Sequence, residues 1–290
     1  MRLENVMRKS FFGNIFLVIL KIASGFLFNS VSLIADGVHS SSDLLSDVFV
    51  ILGIRHSIKP ADEDHPLGHG KFEYVLSFIL GISIILIAYS LGKNVIVNFN
   101  EVATIPNKIS LVIVVVVVVV KLFLSKYLIR KGKELDSEII SASGKESLTD
   151  VYSSAVVFVG IVCVLLGEYF KVDWLLKGDK IASILIAVFI VRIGVEIVWE
   201  AVASLQGKAV KKEINNRYRE IIKKVDGVID VDHLDMISYG PYYQVLVDIQ
   251  VAADITVKQG HDISKAVSTS LLKDQKINHV IVHVNPEGEE

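Results

Sequence analysis

Asp36, His39, Asp43 and Asp47 recur every three or four residues inside an otherwise apolar run that includes Leu33, Ile34, Leu44, Leu45 and Val48. At about 100° per residue the four fall within an arc of roughly 80° on a helix, so they form one polar stripe. Glu146 and Asp150 repeat the four-residue spacing of His39 and Asp43 on a second helical run. Two such pairs facing each other supply one imidazole and three carboxylates, a donor set able to bind a divalent cation in tetrahedral or slightly expanded geometry. Competing readings are a structural hydrogen-bond network along the stripe and, for Glu146, a charge placed at a helix start to suit the dipole.

A second set of donors lies in a short segment bracketed by Pro60, Pro66 and Gly68, where Asp62, His65 and His69 offer a carboxylate and two imidazoles. Three donors suffice for a partly open metal site, and the alternative is a hydrated turn whose histidines merely titrate. Arg192, Glu196 and Glu200 repeat every four residues and read as a snorkelling ion-pair ladder. Lys21 is expected to snorkel as well, Asn14 to bond between helices, and the single cysteine, Cys163, to serve packing. No G-x-x-x-x-G-K-[ST] loop is present, which disfavours a nucleotide as partner or energy source.

The elements that must position these residues are set by composition. The 290-residue chain is 52% hydrophobic and only 21% charged, with a mean hydropathy of +0.53. That is too apolar for an ordinary soluble domain, so the lipid bilayer is its expected surroundings. A net charge of −2 leaves no basic excess for nucleic acid. A membrane helix needs about 20 mostly apolar residues. Six segments meet that demand: Phe11–Phe28, Ser32–Arg55, Val75–Val97, Ile109–Ile129, Leu148–Tyr169 and Ile181–Leu205. Eleven Lys and Arg fall in the N-terminal tail and the second and fourth connections, against five on the other side. The positive-inside rule then places both termini in the cytoplasm.

Past about Gly207 the hydrophobic spans stop and an 84-residue polar segment begins. Its pattern reads as helix, strand, strand, helix, strand: a helix over Lys211–Val225, a hairpin turn at Gly240-Pro241, a helix over Val257–Leu272 and a strand over His279–Val284. In the strand after the turn, Tyr243, Val245, Val247, Ile249 and Val251 alternate with polar positions, the period of a half-buried strand. The expected fold class is therefore a membrane all-α six-helix transmembrane domain, residues 1–206, plus a small α+β ferredoxin-like cytoplasmic domain, residues 207–290.

Ser30-Val-Ser-Leu-Ile-Ala-Asp-Gly-Val-His-Ser-Ser-Ser-Asp43 and Pro60-Ala-Asp-Glu-Asp-His-Pro-Leu-Gly-His-Gly-Lys71 resemble signatures of the cation diffusion facilitator family of metal exporters. The resemblance spans the whole chain and implies a homodimer that exchanges cytoplasmic zinc or another divalent transition metal for protons by alternating access. It implies a transport site at His39, Asp43, Glu146 and Asp150, with Glu146 where the common zinc pattern has His. It implies a peripheral site at Asp62, His65 and His69. In the terminal domain it implies metal ligands at Asp232, Asp248, His261 and His283, with Asn285 where a carboxylate is often found. His283 and His279 share a strand face with Ile281, so satisfied sheet histidines are an equal alternative, and His233 reads as an exposed neighbour of Asp232. The family's salt bridge from Lys71 to the linker looks absent, because its acidic position is Gly207.

The function expected from these readings is secondary active efflux of a divalent cation, in the cell membrane. Zinc comes first by affinity order, with Mn2+, Fe2+, Co2+ and Cd2+ as alternatives. Asp36 is expected as a proton or cation relay, and Asp47 as a residue lining the cytoplasmic mouth. The rival classes are an intramembrane metal-dependent hydrolase, disfavoured because four apposed ligands leave little open coordination, and a metal sensor or scaffold without transport.

Overall fold

The computed structural model describes the backbone of residues 2–57, 59–101, 105–134 and 138–288; within its helices, the side chains of residues 2–9, 46, 47, 49–55, 132, 133, 138–143, 146 and 149 lie outside the description. Six long helices come first: α1 (Arg2–Leu27), α2 (Val31–Ser57), α3 (Phe72–Val97), α4 (Lys108–Glu134), α5 (Glu138–Phe170) and α6 (Gly178–Leu205). Among the described residues, five stretches are long and apolar enough to cross a membrane: Ser10–Leu27, Phe72–Val97, Lys108–Lys131, Asp150–Phe170 and Leu175–Leu205. α2 is not among them, and the charged residues of its polar stripe lower its hydropathy. The expected fifth span began at Leu148, whereas α5 begins ten residues earlier, so Glu146 and Asp150 sit inside a helix and not at its start. The helix-start reading of Glu146 is thereby corrected.

The chain divides into two compact units, residues 1–48 with 80–196, and residues 49–79 with 197–290. In the first unit glycine sets the helix spacing at two crossings. A Cβ on Gly37 of α2 would lie 2.6 Å from Ile22 Cγ1 of α1, and one on Gly144 of α5 would lie 2.9 Å from the backbone nitrogen of Ile129 in α4. Real side chains do not tolerate such contacts, so any larger residue would force the helices apart. These close approaches bring Lys21 of α1 to α2 and Lys121 of α4 to α5. Asp179, in the first turn of α6, closes the N-terminus of α2. It accepts the Val31 and Ser32 N–H groups at 2.7 and 3.3 Å and the Ser30 and Ser32 hydroxyls at 2.8 and 2.5 Å. A carboxylate there satisfies orphan donors and suits the helix dipole.

The second unit holds the α+β part: α7 (Lys212–Ile222), β1 (Asp230–Tyr239), β2 (Tyr242–Val251), α8 (Val257–Leu271) and β3 (Ile277–Pro286). β2 is central, antiparallel to β1 and parallel to β3. Thr256 and Gln259 form a capping box that starts α8, and Gly240 adopts φ +63° in the hairpin turn. α7 and α8 pack on one sheet face through Tyr218, Ile222, Val267 and Leu271, against Val245, Val247, Ile249 and Val251. The order helix, strand, strand, helix, strand is the one expected, and its three strands are one fewer than the four of the full ferredoxin-like motif. Among the described residues three form the sheet, with a single bridge from Ala209 to Ile237 at the outer edge.

Candidate metal sites

α2 and α5 each present one face of the buried cluster. Ligand atoms of His39, Asp43 and Asp150 all lie within 4.8 Å of one another, with His39 Nε2 3.6 Å from Asp150 Oδ1. Neither ring nitrogen of His39 has a hydrogen-bond partner among the described residues, although both are buried. A buried imidazole without partners is unfavourable, and a bound cation would take one of those nitrogens. Phe189 of α6 packs edge-on against the ring, centroids 5.5 Å apart, and holds its orientation. The side chains of Glu146 and Asp47 lie outside the described residues.

Two lysines complete this cluster. Lys21, expected to snorkel, is instead fully buried, 2.8 Å from Asp36 and 2.9 Å from the Ser40 hydroxyl. The Gly37 crossing explains the correction, because it turns this stretch of α1 toward α2 and away from lipid. Asp36 also accepts hydrogen bonds from Ser153 at 2.6 Å and Ser154 at 2.7 Å, so it ties α1, α2 and α5 together. Lys121, buried in α4, donates to Asp150 Oδ2 and, at 3.0 Å, to the side-chain oxygen of Asn14 in α1. Asn14 thus bonds between helices as expected. Sequence reading passed over Lys121, although a lysine after seven consecutive valines carried the same signal as the stripe in α2.

In the second unit Asp62, His65 and His69 form another group whose ligand atoms lie within 4.8 Å of one another. A local side-chain to backbone bond builds it: Asp62 Oδ1 accepts the N–H of His65, three residues on, at 2.7 Å. Asp62 also lies 3.3 Å from His65 Nδ1 and 3.4 Å from His69 Nε2. The His65 N–H, followed by the His65 ring, holds the Asp62 carboxyl below its ordinary range. Its segment is anchored to the sheet: the Tyr239 hydroxyl donates to Gly68 O at 3.2 Å, and the Gly240 N–H donates to the Tyr74 hydroxyl at 2.7 Å. Asn278 donates to Leu67 O at 3.2 Å. Lys71, which lacks the expected acidic partner, donates at 3.1 Å to the C-terminal carbonyl of α6 at Leu205.

Among the described residues, the four expected as ligands in the terminal domain do not form such a group within one chain. Asp232 accepts from Gln250 at 2.6 Å and Asn285 at 3.2 Å. Asp248 is the register partner of His283 on β3, and a bulge at Asp232 makes His233 its partner on β1. His233 is exposed, as expected of a neighbour of Asp232, and it also belongs to a row His233, Asp248, His283 across the sheet face opposite α7 and α8. His261 stands exposed in the second turn of α8. The expected Arg192 ladder stops after one step: Arg192 pairs with Glu196 at 2.9 Å, and Glu200 is bound by Lys208 at 2.6 Å.

Comparison with known proteins places this geometry. The family description "Cation efflux transmembrane domain" matches residues 7–206, and "Cation efflux protein, cytoplasmic domain" matches residues 210–287. An uncharacterized transporter of Methanocaldococcus jannaschii is 33% identical over 95% of each chain. The manganese efflux system protein MneP of Bacillus subtilis is 30% identical, over 99% of this chain and 98% of its own length. The magnetosome protein MamM of Paramagnetospirillum magneticum is 28% identical over 96% of this chain and 86% of its own. These matches remove the hydrolase alternative. A multi-pass helical domain with a buried His and carboxylate cluster, joined to a small α+β domain, is what the two family descriptions cover end to end, and the chain belongs to the cation diffusion facilitator family of metal efflux transporters.

Proposed function

We propose that this chain exports a divalent transition-metal ion in exchange for protons, holding the ion between α2 and α5 on His39, Asp43, Glu146 and Asp150. The observation that carries the reading is the convergence of His39, Asp43 and Asp150, from two helices, in a buried setting where ionisable groups are otherwise unfavourable. Ligands must be deprotonated to bind metal, so an acidic far side favours release and reloads the site with protons. Exchange follows from that competition. In this reading α2 is the sixth membrane span, both termini face the cytoplasm of a cell-membrane protein, and two copies assemble as a homodimer through residues 207–290. That domain regulates flux, with Asp62, His65 and His69 as a peripheral site, and Asp232, Asp248, His261 and His283 as ligands completed across the dimer. Asp36, held by Lys21 and the α5 serines, acts as the proton or cation relay, and Asp47 lines the mouth.

Manganese is the cargo this donor set suits best. One imidazole with three carboxylates is harder than the two-His pattern of zinc exporters, and MneP is named for manganese efflux. Zinc remains the second reading because the affinity order of divalent ions favours it at any nitrogen and oxygen site. Uptake of Mn2+, Zn2+, Fe2+, Co2+ and Cd2+ into proteoliposomes under an imposed pH gradient tests the whole proposal. Uphill Mn2+ flux that collapses with the gradient is expected, and metal binding without flux would leave only a sensor. Glu146→His should shift competitive uptake toward Zn2+, and a fixed ratio would remove Glu146 from the ligand set.

A further inference from the structure

Lys121 sits on a proposed metal ligand. Its ammonium bonds Asp150 Oδ2 while Asp150 Oδ1 faces His39 Nε2 at 3.6 Å, so the two oxygens of one carboxylate point to two different cation positions. The Asn14 side-chain oxygen also accepts from the ammonium at 3.0 Å, and only 2% of Lys121 is exposed. The Gly144 crossing fixes α4 against α5 beside it, where Ser125 donates to Gly144 O at 2.7 Å. The ammonium is therefore clamped between α1 and α5.

From this geometry we infer that Lys121 is a tethered cation that shares Asp150 with the transported metal and sets how tightly the ion is held. The inference rests on the site proposed above. An ammonium on Oδ2 draws charge from the carboxylate, leaves a single oxygen for the metal and repels a second positive charge across a poorly screened gap. Each effect weakens binding. Weak binding serves an exporter, because an ion held too tightly by buried carboxylates leaves slowly. Lys121 is thus a positioning residue that acts through Asp150, and the Lys21 pair with Asp36 shows that the same protein can satisfy a buried lysine without touching the proposed ligands.

The test compares Lys121→Met, Lys121→Arg and Asp150→Asn in purified full-length protein, by titration with Mn2+ and Zn2+ and by flux in proteoliposomes. Lys121→Met should lower Kd about tenfold or more, equivalent to about 1.4 kcal/mol, enlarge the metal-induced rise in Tm, and lower KM and maximal flux together. Lys121→Arg, which keeps the charge, should stay within about threefold of the parent in Kd by the same scale. A lysine that merely supported the fold would give the opposite pattern, with weaker binding in both variants, and that result overturns the proposal. Unchanged affinity in a folded Lys121→Met protein overturns it too. If Asp150→Asn loses metal binding while Lys121→Met leaves it unchanged, only the role of Lys121 falls. If Asp150→Asn binds metal like the parent, the site itself is misplaced and the inference falls with it.

Discussion

Two groups of the same donor chemistry, His39 with Asp43 and Asp150, and Asp62 with His65 and His69, occupy opposite physical settings. In the buried group Asp150 exposes 5% of its surface and His39 3%, and the Lys121 ammonium stands against the Asp150 carboxylate. In the loop group the Asp62 and His65 side chains are 53% and 56% exposed, and water does the balancing. The difference teaches what burial adds to ligation. In the loop a lost ligand is replaced by solvent, whereas in the helix bundle every charge is weighed against another at low dielectric.

The comparison breaks first at Asp43. Replacing it by Asn keeps the volume and removes a charge that the cation needs, a loss of about 3 kcal/mol or roughly a hundredfold in flux. Proteoliposome transport checks this, with dimer assembly unchanged; near-parent flux would mean that the buried group is not the path. Asp62→Asn should act far more weakly. Its charge is exposed and screened by solvent, so maximal flux should change by less than about fivefold, and the change should shrink further as salt is raised. Equal losses at Asp43 and Asp62 would abolish the distinction drawn between the two settings.

The smallest effect lies at Tyr218, away from both groups. Burial, then its hydroxyl bond to Asp274, pushes the Tyr218 pKa up to about 12, with that bond at 2.7 Å. A raised folded pKa means stability that is complete below the unfolded value of about 10 and is lost as pH climbs through about 12. Tyr218→Phe should remove about 1 kcal/mol at neutral pH and flatten that alkaline loss. Thermal melts at pH 7 and above pH 10 measure both.

The buried group of His39, Asp43 and Asp150 was readable because a charge inside an apolar run violates the composition around it, and the spacing of His39 with Asp43 supplied the helix face. Lys121 obeyed the same rule and was missed beneath the valine run that precedes it. Lys21 was misjudged for a different reason: hydropathy marks a span but not which of its faces meets another helix, and the Gly37 contact that decides this is a property of two helices together. The partner of Lys71 is a backbone carbonyl, which every residue carries and no sequence pattern distinguishes. Strand alternation located β2 and its core face. The row joining His233, Asp248 and His283 depends on a bulge that shifts register by one residue, and alternation within a single strand does not encode that.

The Asp179 carboxylate has a mechanical consequence for α2. With four donors converging on it, the first turn of α2 is pinned to the start of α6. Any tilt of α2 then turns about that end, and displacement grows along the helix like the arm of a lever. His39 stands eight residues from Val31, about 12 Å down the axis, so a tilt of about 10° carries it sideways by about 2 Å. That is the length of one metal–nitrogen bond, about 2.0 to 2.1 Å. A small rotation about a fixed fulcrum is thus enough to part His39 from Asp150, with Asp43, farther out on the same arm, moving more than His39.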